Sequence, residues 1–159
     1  MEIKKEKTNV MRLLDHAKIC YQPYYYDASM RDGISIATML QEPMELVFKT
    51  LVTKNEKKEH FVFVIPVNET LDLKKAAKAS SSKSIEMIPQ KELLPLTGYI
   101  HGGVSPIGMK KSFPTFFDVS SMEKQIYVSG GKVGTQIYVL SRDLLDYCHA
   151  KYVDIVQRK

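Results

Sequence analysis

The sequence predicts a single α+β domain over residues 1–159, built around one curved β-sheet with interspersed short helices. Three observations lead there. Short apolar or alternating runs recur along the chain, as strands require. Between them lie brief stretches of helical periodicity, too irregularly placed for a repeating βαβ array. Two pairs of runs are joined by turns rich in charge or glycine, as in hairpins.

Each element follows from its own residues. Thr8 is placed to cap a first helix whose apolar stripe is Val10, Leu13, Leu14 and Ala17. Residues 20–26 are aromatic and strand-like, and Pro23 assigns them to an edge or a bulge. Gly33 interrupts before a short helix carrying Ile36, Met39 and Leu40. The run Leu46-Val47-Phe48-Lys49-Thr50-Leu51-Val52-Thr53 reads as a half-buried strand. A charged turn at 54–59 leads to 60–67, nearly all apolar and so a strand covered on both faces, completing a hairpin.

Residues 71–79 set Leu73, Ala76 and Ala77 against Lys74, Lys75 and Lys78, an amphipathic helix with a basic wet side. A strand at 84–88, a helical turn at 92–96 and a strand at 115–119 come next. The intervening segment 97–108 is too glycine-rich for regular structure. Strands at 125–129 and 136–140 are joined by Gly130-Gly131-Lys132-Val133-Gly134-Thr135. Ser141 is expected to cap a last helix through Leu144, Leu145 and Cys148, before a final strand at 152–156.

Composition narrows the function classes. The apolar share of 44% and charged share of 26% are ordinary for a folded soluble protein. No apolar run approaches the roughly 20 residues that cross a bilayer. The start, Met1-Glu2-Ile3-Lys4-Lys5-Glu6-Lys7, is charged with no apolar segment behind it, so a cytoplasmic location without a secretory leader is expected. Cys20 and Cys148 fall outside any Cys-x-x-Cys pairing and are expected to be free thiols, partly buried. His16, His60, His101 and His149 show no metal-ligand spacing, so no metal or other cofactor is expected. The net charge of +5 favours a polyanionic partner without naming its chemistry. Lys110-Lys111 and the group Lys74, Lys75, Lys78 and Lys83 fit either a solvated face or a surface that tracks RNA. Tyr24-Tyr25-Tyr26 offers a stacking platform for a base, although alternation sends its members to both faces and at least one into the core.

Lys49 and two glycine loops carry the unusual chemistry. Lys49 shares a strand face with Val47 and Leu51, so its charge must snorkel to water or meet an anion in a cleft. Left buried and unpaired, it would cost several kcal/mol or lose its proton. Gly102-Gly103-Val104-Ser105-Pro106-Ile107-Gly108 is either a tight turn or a nest of amides aimed at a carbonyl oxygen or phosphate, stiffened by Pro106. Gly103 and Gly108 have Walker A spacing, but Met109 stands where that motif needs lysine, which rejects nucleotide triphosphate hydrolysis. Residues 129–134 fit a phosphate cradle and a wide hairpin equally well. No Ser-His-Asp or Cys-His arrangement can be drawn from spacing.

Val47-Phe48-Lys49-Thr50-Leu51-Val52, Leu71-Asp72-Leu73-Lys74-Lys75-Ala76-Ala77-Lys78, residues 97–108 and Ile126-Tyr127-Val128-Ser129-Gly130-Gly131-Lys132 occur in that order. Together they resemble the YbaK/EbsC family of aminoacyl-tRNA deacylases, relatives of the editing domain inserted in bacterial prolyl-tRNA synthetases. The similarity runs from about Asn9 to Val156 and implies a mixed, curved, barrel-like β-sheet with flanking short helices. It implies a free-standing factor that binds the acceptor end of aminoacyl-tRNA, removes cysteine mischarged onto proline tRNA and works beside prolyl-tRNA synthetase. By the resemblance Lys49 matches the essential lysine, and Gly102, Gly103, Val104, Ser105 and Pro106 match the backbone loop. Tyr26 matches a tyrosine lining the pocket and Ser129 a serine at its rim, with Gly130, Lys132 and Gln136 also on the substrate side. Two departures stand out: Val133 where the family often has arginine, and Gln136 where it often has aspartate.

The mechanism so implied needs no side-chain nucleophile. The cysteinyl thiol, with a free pKa of about 8.5, attacks its own ester and leaves as a thiolactone. Loop amides stabilise the oxyanion, and Lys49 anchors the substrate. Two rival readings stay open: an editing hydrolase for another small amino acid such as alanine, acting through water, and a non-catalytic tRNA- or synthetase-binding module.

Overall fold

Thr8 accepts a hydrogen bond from the Met11 amide and caps α1 (Asn9–His16), which buries Val10, Met11 and Leu14. The computed structural model describes residues 5–30 and 32–158; Met1 to Lys4 of the charged start lie outside the described residues. Beyond α1 the chain forms β1 (Tyr21–Tyr25), α2 (Gly33–Leu40), β2 (Phe48–Asn55), β3 (His60–Pro66), α3 (Leu73–Ala79) and β4 (Ile85–Met87). It continues with α4 (Leu93–Thr97), β5 (Thr115–Asp118), β6 (Gln125–Ser129), β7 (Thr135–Leu140), α5 (Ser141–Tyr147) and β8 (Lys151–Val153).

The α+β class holds, but the described strands form two hydrogen-bonded sheets where one was expected. One has the order β1-β7-β6, the other β4-β2-β3-β5-β8. β1 lies at an edge, where the missing amide of Pro23 costs no ladder bond. The hairpins β2–β3 and β6–β7 are antiparallel, whereas β3–β5 and β5–β8 are parallel, so the larger sheet is mixed. The two pieces meet at a parallel bridge between Val47 and Tyr127.

Alternation explains what each face buries. Phe48, Val62 and Val64 face the main core, which adds α1, Leu144 of α5, and Ile126, Val128, Ile137 and Val139 of the smaller sheet. On the opposite face Phe61, Phe63 and Ile65 pack beneath Ala76 and Ala77 of α3. β3 is therefore covered on both sides, as its unbroken apolar run requires. A third cluster, Ala37, Val47, Val67 and Tyr127, seats α2 over the junction of the sheets.

Four local expectations are corrected. Gly33 is the first residue of α2 rather than an interruption before it, and Asp32 is its cap, accepting from the Ser35 amide at 2.8 Å. Leu73 is exposed; Leu71, held by a bridge to Val156, supplies the apolar contact in its place. Ser141 lies inside α5 and donates its hydroxyl to the Ser121 carbonyl, so it caps nothing. The tyrosine triplet is no free platform: Tyr26 is buried, Tyr24 packs edge-on against Tyr127, and Tyr25 lies against the main core.

Gly33 has a steric reason. A Cβ there would stand 2.1 Å from Val67 Cγ1 and 2.5 Å from Val67 Cβ, too close for a rotamer change to relieve. Gly33→Ala should therefore pry α2 from the end of β3 and cost about 1–3 kcal/mol, read as a lowered urea midpoint with an unchanged slope.

Candidate active site

β2 is paired along its whole length with β3, but on its other edge only in part. β4 covers it from Thr53, joined by a bond from the Ile88 amide to the Val52 carbonyl, and β6 reaches it only at Val47. Between those points no described strand pairs with it. Val52 bonds outward across this edge, so alternation turns the Thr50 N–H and C=O the same way. A cleft of about 390 Å³ opens along this gap.

Lys49, Thr50 and Leu51 form one wall of the cleft. Ser129 at the end of β6 and Gln136 on β7 contribute from the smaller sheet. His101, Gly102 and Val104 line the cleft as well. At the mouth stand Asp32 and Ile34 of the α2 start, Met87 at the end of β4, and Leu93. Lys49 is half-buried, and its ammonium makes no hydrogen bond or ion pair with any described residue. Burial pushes its pKa down, and the Glu69 carboxylate partly offsets this through charge. Lys49 lines the cleft, a position from which its charge can reach water or an anion bound there.

The glycine loop is a rigid object. Ile107 is fully buried in the main core, and the Tyr99 hydroxyl donates to its carbonyl. Burial pushes the Tyr99 phenol up to about 12, so it remains a donor. The Cys148 thiol donates to the Pro106 carbonyl, and Ser105, itself buried, accepts from the Ile107 amide. Gly103 brings the two glycine loops into contact, since a Cβ there would lie 3.0 Å from the Val133 nitrogen and 3.2 Å from the Lys132 carbonyl carbon.

Not every loop amide is available. The Gly103 N–H already bonds the Ile100 carbonyl at 2.9 Å, and Pro106 has none to offer. Gly102 and Val104 line the cleft, whereas Gly103, Ser105 and Pro106 support the loop from behind. Of the second loop, Ser129 reaches the cleft and accepts from the Gly131 amide at 3.1 Å, which leaves its own O–H to donate. Gly130 is buried beside Thr135. Lys132 points elsewhere and pairs with Glu6 at 3.0 Å. Within the α3 lysine group, Lys75 is committed to Asp154 and the Val156 carbonyl.

Three buried side-chain polar atoms among the described residues lack partners, and two of them, on Gln136 and Tyr26, belong to residues singled out from the sequence; the third is the Ser120 hydroxyl. Gln136 Oε1 is unsatisfied although the residue is 4% exposed and lines the cleft. Tyr26, 2% exposed, sits behind it with an unpartnered hydroxyl. The Gln136 amide influences the phenol electrostatically, but no hydrogen bond of normal geometry joins them, and burial holds the phenol pKa up.

Sequence reasoning missed the mouth. Asp32, Ile34, Met87 and Leu93 carry no motif, and only the tertiary fold brings them to the β2 edge; His101 lies in the 97–108 block, but nothing there singles it out. Thr50 could have been found, since it stands next to Lys49 on the same strand.

Residues 24–147 match the model of the aminoacyl-tRNA editing domain. Over 98% of its length the chain is 41% identical to EbsC of Enterococcus faecalis, a candidate Cys-tRNA(Pro)/Cys-tRNA(Cys) deacylase, and covers 96% of that protein. Two crystal structures share the fold. One is described as a hypothetical protein, at TM-score 0.87 and 20% identity over 96% of this chain and 100% of that one. The other is described as a candidate trans-editing enzyme for prolyl-tRNA synthetase, at TM-score 0.78 and 23% identity over 87% of each chain. On the length and identity of these matches, the chain belongs to the aminoacyl-tRNA editing domain family, in its YbaK/EbsC group of aminoacyl-tRNA deacylases.

Proposed function

We propose that the protein is a free-standing editing factor, one domain over its 159 residues, that releases cysteine from mischarged Cys-tRNA(Pro), and from Cys-tRNA(Cys) where it meets it. The observation that carries this is the placement of the Lys49 ammonium and the Gly102 and Val104 backbone in one cleft. It acts in the cytoplasm on the acceptor end, with prolyl-tRNA synthetase supplying tRNA selection that so small a cleft does not.

The proposed chemistry takes no nucleophile from the protein. The wall residues of the cleft include no cysteine, and Cys148 is held by burial at a pKa of about 12, useless as a thiolate. The nucleophile is the substrate's own sulfur. The sulfur attacks the ester carbonyl, the bond to the ribose oxygen breaks, and the proton lost by the thiol passes through solvent water to that oxygen as the thiolactone departs. Backbone donors at Gly102 and Val104 meet the developing oxyanion. Preorganised donors of this kind are worth about 3 kcal/mol each, and the buried Ile107 and the Tyr99 brace keep them in place. Lys49 holds the ester end and adds positive potential. The unpaired Gln136 oxygen receives the α-ammonium of the aminoacyl group, with Tyr26 behind it.

The Lys49→Ala protein should lose at least about 100-fold in cysteine release from Cys-tRNA(Pro) while its circular dichroism stays unchanged; full turnover would remove Lys49 from the mechanism. The deciding panel is deacylation of Cys-, Ala- and Pro-charged proline tRNA with and without the synthetase. Release of alanine at the rate of cysteine would replace sulfur attack with water.

The folded state holds the Lys49 pKa below its unfolded value, so it binds fewer protons than the unfolded chain between those two values. Stability of the wild type relative to Lys49→Met should therefore rise with pH through that alkaline window. At neutral pH Lys49→Met should melt about 2–4 °C higher, because a half-buried charge is gone.

Gln136→Leu should lower kcat/KM about 10- to 100-fold, because the α-ammonium loses its acceptor. Its melting temperature should not fall, since an unsatisfied buried oxygen is removed with it. A lost melting temperature with intact activity would make Gln136 a structural residue.

A further inference from the structure

We infer that Ile34 and Met87, the two apolar lips of the cleft, grip the terminal adenine base of the tRNA. This rests on the proposed reading of the cleft as the ester site, and it adds how the nucleoside is held.

The reasoning starts from connectivity. An ester carbonyl held between Lys49 and the loop places its alcohol oxygen, and so the terminal ribose, at the opening. The base on that ribose must then lie against the lips. Ile34 is 52% exposed at the first turn of α2, and Met87 is 47% exposed at the end of β4; both line the cleft. Single exposed apolar side chains are common on proteins and need no explanation. Two on one cleft, with Leu93 also lining it, give its opening an apolar character.

Charge selects what this opening can take. Asp32 places a carboxylate beside Ile34, and the Ser35 amide keeps its pKa below the usual carboxylate range. A phosphate is repelled from that side, whereas a neutral heterocycle is not. The flat face of adenine gains dispersion contact with a branched aliphatic chain and a polarisable thioether. Every tRNA ends in the same adenosine, so such a grip raises affinity for any charged acceptor end and leaves amino-acid choice to the inner cleft.

Two measurements test this, one of them without catalysis. Steady-state release of cysteine from Cys-tRNA(Pro) by the Ile34→Ser/Met87→Ser double variant should show KM raised about 10-fold, as expected for two lost apolar contacts, with kcat within about twofold. Titration of wild-type protein with adenosine monophosphate should shift the methyl resonances of Ile34 and Met87, and cytidine monophosphate should do so more weakly. An unchanged KM, or equal shifts with both nucleotides, overturns the inference. So does a KM defect seen only when prolyl-tRNA synthetase is present, which assigns the lips to protein docking. A wild-type protein inactive on every aminoacyl-tRNA yet shifted by adenosine monophosphate would sink the editing mechanism and leave the base grip standing.

Discussion

The organising constraint of this molecule is an unfinished strand edge. A β-strand inside a protein must have its amides and carbonyls satisfied, and β2 achieves this along one side with β3. On its other side β4 stops at Thr53 and β6 touches only at Val47. The gap could have been closed by a longer β4. Left open, it presents backbone polar groups, a lysine and a threonine to a cleft wide enough for a small ester.

An open edge alone would invite water or another strand. The surrounding packing turns it into a defined site. α2 caps the junction through Ala37 and Val67, and Gly33 is the only residue type that lets it approach so closely. The glycine loop is pinned by Ile107 in the main core, by Tyr99, and by backbone contact at Gly103 with the second loop. Loops usually lose order relative to the elements they join; this one is anchored like an element of the core. In the mechanism proposed, donors held so firmly would need little reorganisation when charge develops on the substrate.

The inner cleft is unsatisfied in a patterned way. The Lys49 ammonium has no ion pair among the described residues, and the Gln136 oxygen and Tyr26 hydroxyl have no partners. Each of these lowers the stability of the empty protein. They lie at or just behind one cleft, which is where a substrate carrying an ester oxygen and an α-ammonium can complement them. Lys132, close in sequence to Ser129, escapes this pattern because the turn carries it outward to Glu6.

Much of this was legible in the chain itself. The strands, the hairpins, the α1 cap and the edge role of β1 follow from alternation, capping chemistry and Pro23, all of which act over a few residues. Lys49 announced itself because a charge in an apolar run needs a reason, and the glycine loop because no regular element tolerates it. Which loop amides remain free was not legible, since the Gly103 N–H is taken by a turn whose geometry depends on where Ile107 and Tyr99 pack. Nor was the mouth formed by Asp32, Ile34 and Met87, residues that are ordinary by themselves. Local sequence determined the elements and the two odd pieces of chemistry, because propensity and periodicity are short-range. The tertiary structure alone decided that β4 ends early, that α2 lies over the gap and that Gln136 goes without a donor, because these depend on contacts between residues far apart in the chain.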